Sequence, residues 1–488
     1  MLIFQRRKQR PNLNLLPRLI DVETSIPDSL IRKELPELPY VSELEMVRHY
    51  TLLSRKNFCI DTHFYPLGSC SMKYNPKVCN TVSMLPGFID KHPLDDSPYN
   101  QGLLSCLWYL QEMLTEITGM ASSCLTPMAG AQGELAGLLM IRAYHENRGD
   151  KERCEIIIPD AAHGTNPATA NFCGYKTREI PTMRNGDVDM EILKNSLGPQ
   201  TAGLMLTNPS TLGTFERKIV EINNLIHEAG GLTYYDGANL NAILGYVRPG
   251  DMGFDVMHMN LHKTFATPHG GGGPGSGAIA ANKKLQQFMP IPVVMKDENG
   301  VFFMSDHTHV PKTIGRLNGF AGNTGVLLRA YAYILLLGKQ GLKRVSVAAT
   351  LNANYLVSRL KKAGFVVPFH DRRASHEFII SCSDLKKNYG VSAMDVAKRL
   401  LDFDIHAPTT YFPLIVPECL LIEPTETESK ETLDKFIDAM VVIRREAKED
   451  PGMVKSAPHN QPIKRPDEVA AAKNLLLNWK KLKLYLGM

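Results

Sequence analysis

Between residues 100 and 335 the apolar positions fall into two alternating kinds of run. Short, nearly continuous apolar stretches have the length of strands: SSCLTPM (122–128), EIIIPDAA (155–162), TREIP (177–181), AGLMLTN (202–208), LTYYDGA (232–238), VMHMNLHK (256–263) and SGAIAAN (276–282). Between them lie stretches with helical spacing. Two of these are GELAGLLMIRAYHENRG and IVEINNLIHEAGG, the second closed by Gly230 and Gly231. Strand, helix, strand in repetition predicts an α/β fold with a mostly parallel seven-stranded sheet covered on both faces. The last two strands, joined by GGGGPG, are the candidate antiparallel exception.

The pattern divides the chain into four parts. Residues 1–75 read as an arm followed by helices, with Ser42 and Glu45 forming a capping box at the head of SELEMVRHYTLLSRK. Residues 76–340 form the large domain. Residues 341–450 form a small α+β domain with a long first helix (SVAATLNANYLVSRLKKAG), strands FVVPF, EFIISC and CLLIEPTE, and helices AMDVAKRLLD and SKETLDKFIDAMVVIRREAK. The tail, 451–488, is expected to run over a surface.

Composition excludes some classes of function. No run of about 18 apolar residues exists, so no membrane span is expected. The start, MLIFQRRKQRP, is too short in apolar residues for a signal peptide, and its cluster Arg6, Arg7, Lys8 and Arg10 reads as a basic arm. Nine scattered cysteines without a CxxC pair read as reduced thiols in the cytoplasm. A net charge of +5 is modest for this length and argues against nucleic acid as a main partner.

Four segments carry candidate chemistry at the carboxyl ends of strands, where open α/β sheets bind ligands. In LTPMAGAQGELAGLLM, a small-residue turn leads into a helix, and Gly130, Ala131 and Gln132 offer backbone N–H groups to a phosphate. In PDAAHGTNPATA, His163 can stack on a flat heteroaromatic ring. In LTYYDGANLNA, Asp236 can keep a pyridine nitrogen protonated, which makes the ring an electron sink. In VMHMNLHKTFATPHGGGGPGSG, Lys263 ends a strand before a glycine run that lets the backbone pass close to a ligand, with Asn260 and His262 beside it. Taken singly each has a plainer reading: a tight turn, a structural histidine, an Asp closing a turn with Gly237, a solvated lysine. A phosphate cradle, a stacking ring, an Asp and a Lys in that order form the pattern of pyridoxal 5'-phosphate enzymes of fold type I.

Other signals point nowhere specific. The glycine run lacks both the GK[ST] ending of a P-loop and the GxGxxG context of a dinucleotide site. His258 and His262 lie on a predicted strand without HExxH, so no metal is expected; His307 and His309 read as surface. The loop YPLGSCSMKYNP (65–76) is irregular, and Ser69, Cys70 and Asn75 are candidates for the substrate side of the site, with Lys73 able to activate Cys70.

The chain resembles the glycine decarboxylase P-protein family, in its two-subunit form. The resemblance is carried by VRHYTLLSRKNFCIDTHFYPLGSCSMKYNP (47–76), MAGAQGELAGLLMIRAYH (128–145), PDAAHGTNPATA (159–170), LMLTNPSTLGTFE (204–216), the segment 234–277 and YFPLIVPECLLIEPTETESKETLD (411–434). Departures are small: Ala162 and Thr165 where serine is frequent, and Ser71 where threonine is usual. The resemblance implies decarboxylation of glycine and passage of the aminomethyl group to the lipoyl arm of H-protein. It also implies Lys263 as Schiff-base lysine, Asp236 as partner of the pyridine nitrogen and His163 as stacking residue. A separate subunit 1 and an α2β2 heterotetramer are implied as well. The competing expectations are another fold-type I enzyme, such as a different amino-acid decarboxylase or an aminotransferase, and a non-catalytic scaffolding subunit, which Lys263 argues against.

Overall fold

A computed structural model describes residues 3–5, 26–33, 39, 41–270, 275–369 and 371–487. The basic cluster Arg6, Arg7, Lys8 and Arg10 and part of the glycine run, Gly271–Pro274, lie outside the described residues. The chain groups into two compact units: Met1–Cys59 with Asn460–Met488, and Ile60–His459. In the first, the helix Glu43–Ser54 opens with the expected reciprocal cap, Ser42 N–H donating to Glu45 Oε2 and Glu45 N–H to Ser42 Oγ. None of that helix's residues is buried. Phe4 stacks on Trp479 at 5.4 Å.

The second unit holds a seven-stranded sheet. Its strands are β1 (Ser122–Cys124), β2 (Glu155–Pro159), β3 (Lys176–Ile180), β4 (Thr201–Thr207), β5 (Leu232–Gly237), β6 (Val256–Asn260) and β7 (Gly277–Ala281). Their spatial order is β1-β7-β6-β5-β4-β2-β3. The pairs from β3 to β6 are parallel, and β7 is antiparallel to both β6 and β1. Each expected apolar run thus contributes a strand, and the antiparallel exception falls where the glycine run joins β6 to β7.

The sheet's side chains alternate between two cores. Ile157, Leu204, Leu206, Tyr235 and Met257 enter one with Leu104, Leu107 and Leu114 of the helix Gln101–Thr118. Ile156, Ile158, Met205, Tyr234 and Val256 enter the other with Leu138 and Ile141 of the helix Gly130–Asn147. Burial on both faces explains why these strands read as continuous apolar runs.

After the hairpin β8 (Val294–Lys296) and β9 (Phe302–Met304), the segment Thr324–Lys362 is two helices bent at Gly338 (φ 57°, ψ −178°). A side chain there would strain that backbone. A small antiparallel sheet follows, in the order β10 (Phe378–Ser381), β12 (Cys419–Ile422), β11 (Thr409–Thr410). It is backed by the helices Ala393–Leu400 and Lys430–Glu449.

Three details differ from expectation. FVVPF makes only an isolated bridge, Val366 to Ser381, beside the edge strand β10. The tail holds short helices, Pro451–Lys455, Glu468–Lys473 and Trp479–Tyr485, each headed by an Asp or Asn side chain that accepts a backbone N–H. Finally, β6 stops at Asn260, and Lys263 lies in the turn beyond it, where its N–H donates to Asn260 O.

Among the described residues no helix is long and apolar enough to cross a membrane. All nine cysteines are free of disulfides.

Candidate active site

Strand order reverses between β2 and β4: the chain leaves β2 for the edge strand β3, returns to β4 and then runs on to β5 and β6. Loops leaving the carboxyl ends of β2 and β4 therefore diverge and open a crevice. A cavity of about 110 Å³ lies there. It is lined from β2 onward by His163 and Thr165, from β4 by Thr207 and Pro209, from β5 by Asp236, and from β6 by Asn260 and Lys263. Gly130 and Ala131, at the head of the helix Gly130–Asn147, complete this rim. The helix begins at Gly130, and Gly133 N–H donates to Ala129 O. The N–H groups before it are left for another acceptor.

Asp236 is buried and well supplied with partners. Asn166 Nδ2 donates to its Oδ2 at 3.1 Å, Ala238 N–H to its Oδ1 at 3.1 Å, and His258 Nε2 stands 3.6 Å from Oδ1. Burial alone raises its pKa; His258, Asn166, Ala238 and Lys263 outweigh that and hold the carboxyl below its ordinary range. His258 faces Asp236 because the two are register partners on β6 and β5. Its Nδ1 lies 2.5 Å from the Tyr234 hydroxyl, which orients the ring. Burial lowers the pKa of His258, so the imidazole is neutral. Glu134 is the opposite case: burial first, then Asp236, drives its pKa up, and it accepts a hydrogen bond from Asn166.

Lys263 is 9% exposed, and no hydrogen bond to its Nζ forms among the described residues. Thr165 N–H donates to His163 Nδ1 at 3.2 Å, and Phe412 meets the His163 ring edge-on at 5.6 Å.

A second wall comes from distant segments. Ser69, His376 and Glu377 line the same cavity. Ser69 N–H donates to Glu377 Oε2 at 2.6 Å, with Ser69 at φ 66°. Beside it, Glu423 accepts from Ser71 N–H and Oγ, Asn239 Nδ2 and Asn241 Nδ2. Gly68 N–H donates to Leu421 O, and Leu67 bridges Ile422, so the loop is seated along β12. Atoms of His376, Glu377 and Glu423 able to ligate a metal lie within 4.8 Å of one another.

Of the residues expected from sequence, the cavity brings together Ser69, Gly130, Ala131, His163, Asp236, Asn260 and Lys263. Asn75 and His262 line a separate cavity of about 160 Å³ with Lys73, Thr267 and His269. His262 Nδ1 is engaged by Ser276 N–H at 3.2 Å. The Gln132 side chain turns away to brace loops, accepting from Met128 N–H and donating to Leu317 O. Cys70 lines neither cavity; burial pushes its thiol up, Lys263 pulls against that, and Glu423 and Glu377 add to the rise. Lys73 cannot activate it, because its ammonium is committed to Glu426 at 2.6 Å inside the protein. Glu134, Asn166, Thr207, His258, His376, Glu377 and Glu423 were missed. Glu134, Asn166 and His258 sit inside chemistry-bearing segments already singled out, and Thr207 and Glu423 inside segments that carry the resemblance, but their places in the site needed the strand register or the long-range fold; His376 and Glu377 sit in none of these.

Residues 134–401 match the family model described as aminotransferase class-V, and residues 345–465 match that of the glycine dehydrogenase C-terminal domain. A relative named "Probable glycine dehydrogenase (decarboxylating) subunit 2" from Nitrosospira multiformis is 60% identical over 481 residues, covering 98% of this chain and 96% of the relative. The same name belongs to a Thioalkalivibrio sulfidiphilus protein, 61% identical, with 98% and 97% covered.

The chain belongs to the glycine dehydrogenase (decarboxylating) subunit 2 family.

Family membership accords with the fold. An inhibitor-bound glycine decarboxylase (P-protein) of the glycine cleavage system superposes with a TM-score of 0.71 at 19% identity, covering 86% of this chain and 93% of that one. Glutamate decarboxylase from Lactobacillus brevis superposes at 0.66 and 13% identity, with 86% and 96% covered. At such identities the likeness is one of architecture.

Proposed function

We propose that this chain is the lysine-bearing subunit of a glycine decarboxylase that works with pyridoxal 5'-phosphate and passes the aminomethyl group to the lipoyl arm of H-protein. The observation that carries the reading is the convergence of Lys263, Asp236, His163 and the helix head at Gly130 on one cavity at the sheet's switch point.

The residues present suit the cofactor. A Cβ on Gly130 would run into the Asn260 amide, so the cradle is kept open by the absence of a side chain. Among the described residues the buried Thr207 Oγ1 and Asn260 Oδ1 have no hydrogen-bond partner, and neither has the Lys263 amine. When bound, the cofactor supplies a carbonyl carbon for amine capture and a protonated pyridine that withdraws electrons.

The chain's own residues do the rest. Gly130 and Ala131 offer N–H groups and the positive end of a helix to the phosphate. The face of His163 packs on the ring. Asp236, kept ionised by its donors, holds a proton at the ring nitrogen. Lys263 would hold the cofactor by offering its amine to the carbonyl carbon.

The relatives' designation as subunit 2 supports a partner subunit 1, and the proposed assembly with it is a heterotetramer. The helix Glu43–Ser54, which buries none of its residues while exposing Leu44, Val47 and Leu52, agrees with that reading. Two measurements test it. PLP added to the purified chain should give a visible absorbance band. Subunit 1 and lipoylated H-protein should then support exchange of carbon between glycine and bicarbonate. A band without exchange would favour a different fold-type I reaction.

A further inference from the structure

The reading above leaves the second wall without a task, and that wall contains an unusual donor. His376 is 2% exposed and lines the cavity that holds Lys263. Its Nδ1 lies 3.3 Å from the Ser375 hydroxyl, which can donate to it and so leave the hydrogen on Nε2. Among the described residues Nε2 has no hydrogen-bond partner. Glu377 Oε1, at 3.9 Å, is beyond hydrogen-bond reach. A buried polar group with an unmade bond is costly, and in a native site it points to a ligand.

The composition of the cavity narrows what that ligand is. Among the described residues that line it, Lys263 is the sole lysine or arginine. Lys263 is assigned above to the cofactor's carbonyl carbon, so an amino-acid substrate brings a carboxylate that needs another donor. Asn260 and Thr207 stand at the strand ends with Gly130 and Asp236, on the cofactor's side. His376 comes from the small-sheet side, where Glu377 and Glu423 are its neighbours.

We infer that His376 Nε2–H seats the carboxylate of the amino-acid substrate, so that this carboxylate is held by a neutral imidazole backed by carboxyl groups instead of by a guanidinium. The inference rests on the cofactor reading above and deepens it. Burial lowers the pKa of His376, which keeps the ring uncharged. Burial and then Glu423 drive Glu377 well above the carboxylate range, so its carboxyl is uncharged as well. A guanidinium would stabilise the ionised ground state and raise the barrier to losing it. A single neutral donor orients the carboxylate while leaving it weakly stabilised. When the bond from carboxylate carbon to α-carbon breaks, its electron pair stays with the α-carbon and neutral CO2 leaves. The wall then suits decarboxylation better than reactions that retain the carboxylate.

The test compares glycine with methylamine, the same amine without a carboxylate, by titrating the PLP-loaded protein and following cofactor absorbance. His376→Leu should weaken glycine on the order of 10-fold or more while methylamine changes less than about 2-fold. His376→Gln, which keeps an N–H, should recover most of the loss. Unchanged glycine affinity in His376→Leu, or equal weakening of both amines, overturns the inference alone. Wild-type protein that takes up no PLP overturns the cofactor reading and this inference together. Should the leucine variant fail to fold, wild-type protein labelled with 15N-histidine decides. The His376 Nε2 resonance should move with glycine and stay with methylamine; a resonance indifferent to glycine overturns the assignment.

Discussion

Asp236 and Glu377 are buried carboxyl groups in one cavity, and the fold drives them in opposite directions. Asp236 lies on the strand-end rim, where two hydrogen-bond donors, an imidazole and a lysine more than repay its burial. Glu377 lies on the small-sheet wall with one backbone donor, Ser69 N–H, and a second carboxyl group beside it. Desolvation is present in both; the number and charge of the neighbours decide the sign. One carboxyl is thus favoured in its charged form and the other in its neutral form within a single cavity.

Predictions that separate the walls begin at the rim. Lys263→Ala should abolish both the cofactor band and turnover without unfolding the protein, as absorbance and circular dichroism will report. Survival of either signal would remove Lys263 from its role. Asp236→Asn should leave the cofactor bound and lower turnover on the order of 10²-fold, since a neutral amide cannot hold the ring proton. A loss of only a few-fold would mean that the charge asymmetry between the walls does not matter to the chemistry.

Two glycines give a matched pair. A Cβ on Gly130 meets the tip of the Asn260 side chain, which can yield, whereas one on Gly68 meets the Leu421 backbone at 2.7 Å, which cannot. Gly130→Ala should weaken PLP about 10-fold or more with little change in melting temperature. Gly68→Ala should lower stability by about 1–3 kcal/mol, with the PLP-binding rim intact. Titration and thermal denaturation of both variants will show whether the walls are separable.

The smallest effect concerns acid. His262, near the rim but in the neighbouring cavity, has its pKa lowered by burial and then by Lys263, to about 4. A histidine depressed in the folded state contributes stability above its unfolded pKa, near 6.5. That contribution is lost as pH falls towards 4. Wild-type stability should therefore decline over that range, and His262→Asn should flatten part of the slope in denaturant titrations at successive pH values.

Legibility from sequence followed the same division. Gly130, His163, Asp236 and Lys263 each sit just beyond an apolar run, so the rule that ligands bind at carboxyl strand ends located them without any knowledge of packing. His258 was passed over because its partner is set by register, Asp236 lying across from it on β5. His376 and Glu377 precede the short strand β10 with no glycine turn or helix start to mark them. The pairing of Lys73 with Cys70 misled for the converse reason: Lys73 is turned toward Glu426, a residue that the chain reaches only after the whole large domain.

The tether between the loop and the small sheet also bears on the order of assembly. Rim contacts join residues close along the chain, such as Tyr234 and His258 at a separation of 24. The bonds from Ser69 to Glu377 and from Ser71 to Glu423 close loops of 308 and 352 residues. Long loops cost more entropy to close, and contacts distant in sequence form slowly. The second wall is therefore the late-forming part of the cavity, since its final bonds wait until nearly the whole chain between Ser69 and Glu423 has folded.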